Sequence, residues 1–338
     1  MKSSRQFVTG ADRVQLCVHR WGEAPSPQRP RETIVLLHGF PDCALFWEPV
    51  AQALATTHHV VAYDMRGCGA STPISGRRAY RYAPLIDDLF AVIDAVSDNT
   101  SPKQKVHLVG HDWGGLYGWD ALLDARASDR IASFTTLAPS LNQVGLWMRR
   151  RLLRPTPANL GQVLHQMLVS NGLMTFFTLP VLPELMWRSG LGSAFMKTSL
   201  KRLEGLAVPP RAGLADDAIR YLGIYRSNLL QQALRPRQPV RSAIPVHTVV
   251  ATRDPFLPPR VFEGCAEWTT HHTQSTLDAS HWAPLSRPTE LAALIEAHVR
   301  AHTVGAIGDA ALSSSASPHR PAEHAPTPPS PAATAAGI

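Results

Sequence analysis

Lys105-Val106-His107-Leu108-Val109-Gly110-His111-Asp112-Trp113-Gly114-Gly115 is the stretch whose reading decides the fold. Residues 105–109 form a short β-branched apolar run bounded by turn residues. Gly115-Leu116-Tyr117-Gly118-Trp119-Asp120-Ala121-Leu122-Leu123 then continues in a helix-compatible pattern. Strand, sharp turn and helix in that order describe a nucleophile elbow. Such a turn strains its central residue and requires nearly absent side chains two positions to either side, which Gly110 and Gly114 supply. Asp112 then projects above the sheet edge, a carboxylate where a serine hydroxyl ordinarily stands. Taken alone, Gly-x-Asp-x-Gly reads equally well as an ordinary glycine-rich turn. The rest of the chain has to choose.

Outward from the elbow, short strand-like runs alternate with helical patterns between Val14 and Gln143. The strands are drawn at Val14–His19, Thr33–Leu37, His59–Tyr63, Val106–Val109 and Ile131–Leu137. That alternation predicts an α/β fold with a mostly parallel sheet flanked by helices. From Val144 to Arg241 the text turns helical, Met- and Arg-rich and interrupted by Pro, before strand signals resume at Val246–Val250. The organisation expected is therefore a core in two parts, 1–143 and 242–302, a helical lid inserted at 144–241, and a tail at 303–338. The lid is placed over the carboxyl ends of the strands, where such sheets hold their ligands. The Ala/Pro/Ser-rich tail buries too little apolar surface to offset its ordering entropy and is expected to be disordered. No internal repeat is present.

With 338 residues, 44% of them hydrophobic, the chain can bury one large core. Cys17, Cys43, Cys68 and Cys265 are widely spaced and show no metal-ligand pattern. Met1-Lys2-Ser3-Ser4-Arg5 leads into no apolar signal core, and no uninterrupted apolar run reaches the ~18–20 residues that span a bilayer. A cytoplasmic location is expected, with peripheral membrane attachment left open. The net charge of +7 is concentrated between Val144 and Arg241, where fourteen Lys or Arg face four acids. A solvated face explains this more simply than a surface for anionic lipid or acidic substrate. Nucleic acid is excluded as a partner, because the basic residues are neither interleaved with exposed aromatics nor set in a recognition motif.

An elbow carboxylate becomes a catalyst only with a base, an orienter for that base and donors for an oxyanion. His38-Gly39-Phe40-Pro41 directly follows the strand Ile34–Leu37, so the Phe40 amide can pair with that of Trp113 as an oxyanion hole. Asp254 closes the strand ending Val249-Val250-Ala251-Thr252-Arg253, and His281 follows another short strand-like stretch. The chain order Asp112, Asp254, His281 is that of nucleophile, acid and histidine.

His38-Gly39-Phe40-Pro41, Asp64-Met65-Arg66-Gly67-Cys68-Gly69-Ala70-Ser71, Gly110–Gly115, Arg253-Asp254-Pro255-Phe256-Leu257-Pro258 and Ser280-His281-Trp282 together resemble the α/β-hydrolase-fold epoxide hydrolases over about residues 10 to 300. Leu179-Pro180-Val181-Leu182-Pro183-Glu184-Leu185 resembles, more narrowly, actinobacterial proteins in which an epoxide-hydrolase-like domain precedes a short-chain dehydrogenase. None is expected to follow here. A function resting on that second domain is expected to be absent or to lie on another polypeptide.

The resemblance implies that Asp112 attacks an epoxide carbon to form an alkyl ester, which water activated by His281 and Asp254 then cleaves to a vicinal diol. It implies no cofactor and no metal. Two lid tyrosines usually assist the leaving oxygen in this family. Tyr225 matches the second, but no Tyr stands between Gln166 and Thr178, where the first is expected. Tyr221, four residues before Tyr225, lies on the same helical face and is either a substitute donor or a core aromatic. A dehalogenase using the same Asp112 is the alternative. Trp113 is then one halide donor, and the second is a lid Trp such as Trp147 or Trp187, since Phe40 stands where many dehalogenases carry Asn. A non-catalytic binding protein of the same fold is the third reading, although Asp112, Asp254 and His281 are all intact.

His111 and Trp282 read as wall or packing residues, His107 and His247 as strand histidines, and Asp64–Ser71 as a structural loop. The apolar lid text, Leu173–Phe177 and Leu185–Trp187, bordered by arginines, suggests a lipophilic epoxide such as an epoxy fatty acid. A structural lid core explains it equally. The oligomeric state is not readable.

Overall fold

A computed structural model describes residues 3–74, 76–97, 104–234 and 236–303, without the side chains of 230–234. The predicted tail lies outside the described residues except for Thr303.

Among the described residues, eight strands form one sheet: β1 (Ser4–Thr9), β2 (Gln15–Trp21), β3 (Thr33–Leu37), β4 (His59–Tyr63), β5 (Val106–Gly110), β6 (Ile131–Thr136), β7 (Val246–Ala251) and β8 (His272–Leu277). Their spatial order is β1-β2-β4-β3-β5-β6-β7-β8. The last six in that order run parallel, whereas β2 pairs antiparallel with both β4 and β1. Every residue of β3, β4, β5 and β7 is buried, as expected of central parallel strands covered on both faces.

The pleat sorts these residues into two apolar layers. Val35, Leu37, Val61 and Tyr63 face one layer, and Ile34, Leu36, Val60 and Ala62 face the other. Helices α1 (Glu48–Leu54) and α11 (Pro288–Ala301) pack together in the second layer, and α2 (Tyr82–Ser97) and α3 (Trp113–Ala121) in the first. Short helices α4 (Ala127–Arg130) and α10 (Ala283–Ser286) complete the flanks. Beneath the loop after β4, the fully buried Arg66 guanidinium grips Asp88 of α2 through Nε–Oδ2 at 2.6 Å and Nη2–Oδ1 at 2.8 Å. This pair anchors the Asp64–Ser71 loop, whose Asp64 also accepts from the amides of Ala44 and Ala70, each at 2.8 Å.

Strand β1 was not legible in the sequence. It lies at the sheet edge, only Val8 is buried, and Ser-Arg-Gln-Phe-Val-Thr shows no apolar alternation. Its pairing with β2 supplies what its side chains do not.

Among the described residues, five α-helices run between β6 and β7: α5 (Leu141–Leu152), α6 (Pro157–Thr178), α7 (Leu182–Arg188), α8 (Leu191–Ser199) and α9 (Leu214–Leu234). The helical run opens slightly before the expected position 144, because Ser140 caps α5 by accepting from Asn142 N at 3.2 Å. Thr156 caps α6 in the same way, with Pro157 entering its first turn. α9 packs against α5, α6 and α7, and Arg226 of α9 holds Glu184 of α7 at 2.7 Å and 3.0 Å. Among the described residues no single helix is long and apolar enough to cross a membrane; α6 and α7 reach that composition only together, with a 93° bend between them.

Candidate active site

Asp112 sits between β5 and α3 with φ 50° and ψ −125°, the strained left-handed geometry of an elbow. The two glycines are there for lack of space. A Cβ on Gly110 would lie 2.7 Å from Gly115 Cα, and one on Gly114 would overlap the Leu37 carbonyl.

The turn after β3 lies directly above. His38 stiffens it by donating through Nδ1 to the Gly39 carbonyl at 3.0 Å while its Nε2 accepts from the Met65 amide at 2.9 Å. So held, the Phe40 amide donates to Asp112 Oδ2 at 2.8 Å, and the Trp113 amide also donates to this carboxylate. A Cβ on Gly39 would overlap the carboxylate, so close approach requires glycine there as well.

From the end of β7, Asp254 Oδ1 accepts from the amides of Phe256 at 2.7 Å and Leu257 at 2.9 Å. Its Oδ2 accepts from His281 Nδ1 at 2.8 Å. This fixes the ring so that Nε2 is the nitrogen left for a group in the cavity. Four segments distant in sequence therefore bring Asp112, Asp254, His281, Phe40 and Trp113 together.

Electrostatics follow from burial and pairing. Burial raises the Asp112 carboxyl above the usual carboxylate range, opposed by the His281 charge and the two amides. Burial also acts to raise Asp254, but the His281 charge and ring N–H, with the amides of Leu257 and Phe256, outweigh it and hold Asp254 low. Burial acts to lower His281, yet Asp254, then Asp112 and Glu204, lift it to about 9.

Asp112, His281 and Phe40 line a cavity walled mainly by apolar side chains. Leu116, Leu141 and Val144 come from α3 and α5, and Leu173, Met174 and Phe177 from α6. Tyr225 lines it too, its ring edge-on to Trp113 at 4.8 Å. Tyr221 does not line it. Its hydroxyl is buried and donates to Met65 Sδ at 3.4 Å, and its ring packs near His38 and Phe40. The shared helical face misleads here, since one turn of α9 carries Tyr221 past the cavity and into the core beside it.

Several residues of the site escaped the sequence reading. His111 donates through Nε2 to the His281 carbonyl at 2.7 Å, tying the elbow to the histidine loop. Burial, with the nearby His281 charge, pushes His111 down to about 3, so its ring stays neutral. Gln166 and Ser170 of α6 are buried against the cavity. Ser170 donates to the Phe256 carbonyl, and Gln166 Oε1 has no protein partner. Other polar residues, among them Asn159, Gln162, His165, Asn171 and Thr175, share the helix, so no local pattern singled these two out. Glu204, in a π-helical turn at Leu200–Glu204, accepts from the Trp282 amide, and no local pattern announces it.

Cys17, His19 and Asp64 place one potential metal-ligand atom each within 4.8 Å of one another. None lines the cavity, and Asp64 is already occupied by two amides, so this group is structural.

A family model for the alpha/beta hydrolase fold matches residues 32–288. The chain belongs to the α/β-hydrolase family. Among its α/β-hydrolase relatives, the probable oxidoreductase EphD of Mycobacterium tuberculosis is 31% identical over 297 residues, covering 86% of this chain and 48% of that protein. The chain thus spans about half the length of this relative. Epoxide hydrolase A of the same organism is 37% identical over 140 residues, covering 41% of this chain and 39% of that protein. Among solved structures, one described as a novel epoxide hydrolase from metagenomes of hot environments aligns with a TM-score of 0.69 at 24% identity, over 88% of this chain and 98% of that one. The Bacillus megaterium epoxide hydrolase with an inhibitor aligns at 0.66 and 21% identity, over 87% of this chain and all of the other. At these identities the two structures speak for the α/β-hydrolase fold.

Proposed function

We propose that this chain is an epoxide hydrolase that opens a lipophilic epoxide to a vicinal diol. The observation that carries the reading is a carboxylate at the elbow, held by the Phe40 amide at 2.8 Å, in one cavity with His281 and Tyr225. The names of the relatives support the same activity. A carboxylate attacking an acyl group forms an anhydride, whereas attack on saturated carbon forms an ester that a second step can open.

In the first step Asp112 attacks a ring carbon, the C–O bond breaks, and the released oxygen takes up a proton from solvent. Burial holds the Tyr225 phenol well above its ordinary value, so Tyr225 stays protonated and donates a hydrogen bond to that oxygen. In the second step water attacks the ester carbonyl as His281 Nε2 takes its proton, and the amides of Phe40 and Trp113 hold the oxyanion. Collapse expels the diol oxygen, which recovers the proton from His281, and Asp112, left as the acid, returns its proton to solvent and is regenerated as the carboxylate. Esterification itself prepares the base. It removes the Asp112 charge, one of the influences that lift His281 to about 9, so the ring releases its proton more readily at the step that needs it.

The test is turnover in oxygen-18 water with the wild type and Asp112→Ala. Label is expected in the Asp112 carboxylate after one turnover and in the diol only on later ones, with no diol from the variant. Diol formation undiminished in Asp112→Ala rejects the reading.

One observation favours a second reading. The indole N–H groups of Trp113 and Trp187 are buried without a protein partner, and Trp187 lines the cavity, as halide donors of a dehalogenase would. Halide release from alkyl halides, without diol formation from epoxides, selects it.

A further inference from the structure

Helix α6 buries Val163 and Phe177 but leaves other apolar side chains exposed. Its 22 residues include no Asp, Glu, Lys or Arg. Polar Gln166 and Ser170 are buried, while Leu164, Met167 and Leu168 face outward at 57%, 51% and 69% exposure. A helix covering a core in water carries the opposite pattern. The exposure continues on the next two helices, through Leu182 and Leu185 of α7 and Leu191 and Phe195 of α8. Among the described residues outside 141–234, only Phe7, Leu45 and Val240 are large apolar side chains of that exposure. Scattered exposed Leu is ordinary, but a concentration on three consecutive helices marks an interaction surface.

This surface leads to the cavity from two sides. Phe195 lines the cavity and is itself exposed, and Leu191 lies one turn before it on α8. Asn171 lines the cavity and is half-buried, one turn beyond Met167 and Leu168 on α6. The fringe is cationic. Arg154, Arg188, Lys197, Lys201 and Arg202 are exposed and form no ion pair among the described residues, whereas Arg150, Arg151 and Arg226 are paired with Glu267, Glu263 and Glu184.

Exposed apolar side chains with unpaired cations before, between and after them in the same helical run complement a surface that is apolar within and anionic at its boundary. We propose that the α6–α8 face docks on an anionic lipid bilayer, with the leucines among the acyl chains and the basic residues on the headgroups. The cavity then opens towards the hydrocarbon, and a lipophilic substrate enters without crossing water; this last point rests on the epoxide-hydrolase reading, while docking itself does not.

The test is co-sedimentation of the full chain with phosphatidylcholine vesicles, with and without phosphatidylglycerol, at low and high salt. Binding is expected to rise by about tenfold or more with phosphatidylglycerol and to fall with salt. A Leu164→Asp, Leu168→Asp double variant is expected to lose binding while keeping its circular dichroism and its turnover of a short, water-soluble epoxide. An Arg188→Gln, Lys201→Gln variant is expected to lose only the preference for phosphatidylglycerol. Absence of vesicle binding by the wild type overturns the proposal. So does a dimer in sedimentation velocity that the double Asp variant dissociates, since the face is then an interface between copies. An inactive wild type that still binds vesicles rejects the hydrolase reading and leaves docking standing.

Discussion

Glu204 Oε1 accepts a hydrogen bond from the Trp282 amide at 2.9 Å, across 78 residues of sequence. Its other oxygen accepts from the Ser280 amide at 3.5 Å, so a carboxylate from the helices between β6 and β7 brackets the backbone on both sides of His281. Glu204 thereby positions the histidine loop, and its charge helps keep His281 protonated.

Glu204→Gln preserves the acceptor and removes the charge. It is expected to shift the pH dependence of ester hydrolysis to lower pH while KM stays unchanged. Glu204→Ala also loses the two amide contacts, and kcat is expected to fall by about tenfold. Comparing the two pH–rate profiles checks this: identical midpoints in Gln variant and wild type refute the electrostatic role.

His281→Ala leaves Asp112 with its amide donors but no base. Alkylation should proceed, and hydrolysis should slow by about 10²–10⁴-fold, so that the covalent ester accumulates to one equivalent. Mass spectrometry of quenched enzyme measures this directly; a variant that never gains substrate mass contradicts the assignment.

His281 also links stability to pH. Its folded value of about 9 lies above the ordinary 6.5, so the native state holds the proton more tightly than the unfolded chain. The stabilisation is fully present below pH 6.5 and is lost as pH rises through about 9. His19 is also lifted to about 9, so denaturant unfolding across that range is expected to show a steeper decline in the wild type than in His281→Gln.

Tyr225 and Tyr221 separate cleanly. Tyr225→Phe removes the hydroxyl in the cavity and is expected to slow alkylation by about 10²-fold. Tyr221→Phe removes only a donor to Met65 Sδ and is expected to leave alkylation within about twofold. Pre-steady-state alkylation rates decide it, and equal losses from both changes refute the placement.

Asp88→Ala takes from the fully buried Arg66 guanidinium its two shortest contacts, leaving it the partly exposed Asp12 and the carbonyls of Ala11 and Ala79. Breaking such a pair costs about 3–5 kcal/mol, which is a large part of a domain's stability. Urea unfolding measures it, and a change under ~1 kcal/mol would show that Arg66 finds another partner.

The elbow was readable because its cause is local: Gly110 and Gly114 are the residues that strained backbone and close packing permit around Asp112. The central strands were readable for a similar reason, since burial on both faces demands continuous apolar runs such as Ile34–Leu37 and Val60–Ala62. Strand β1 was not, because at the sheet edge main-chain pairing with β2 holds a mostly polar segment.

By itself, then, the sequence determined the turn that presents Asp112, the sheet behind it and the order in which Asp254 and His281 follow. The tertiary structure alone decided that Glu204 and His111 brace the histidine loop, that Gln166 meets the cavity, and that Tyr221 turns to Met65 while Tyr225 does not. Periodicity along a chain records which face of an element is buried. Which partner that face meets depends on how five inserted helices dock against a sheet, and residues many positions apart carry no local trace of that meeting.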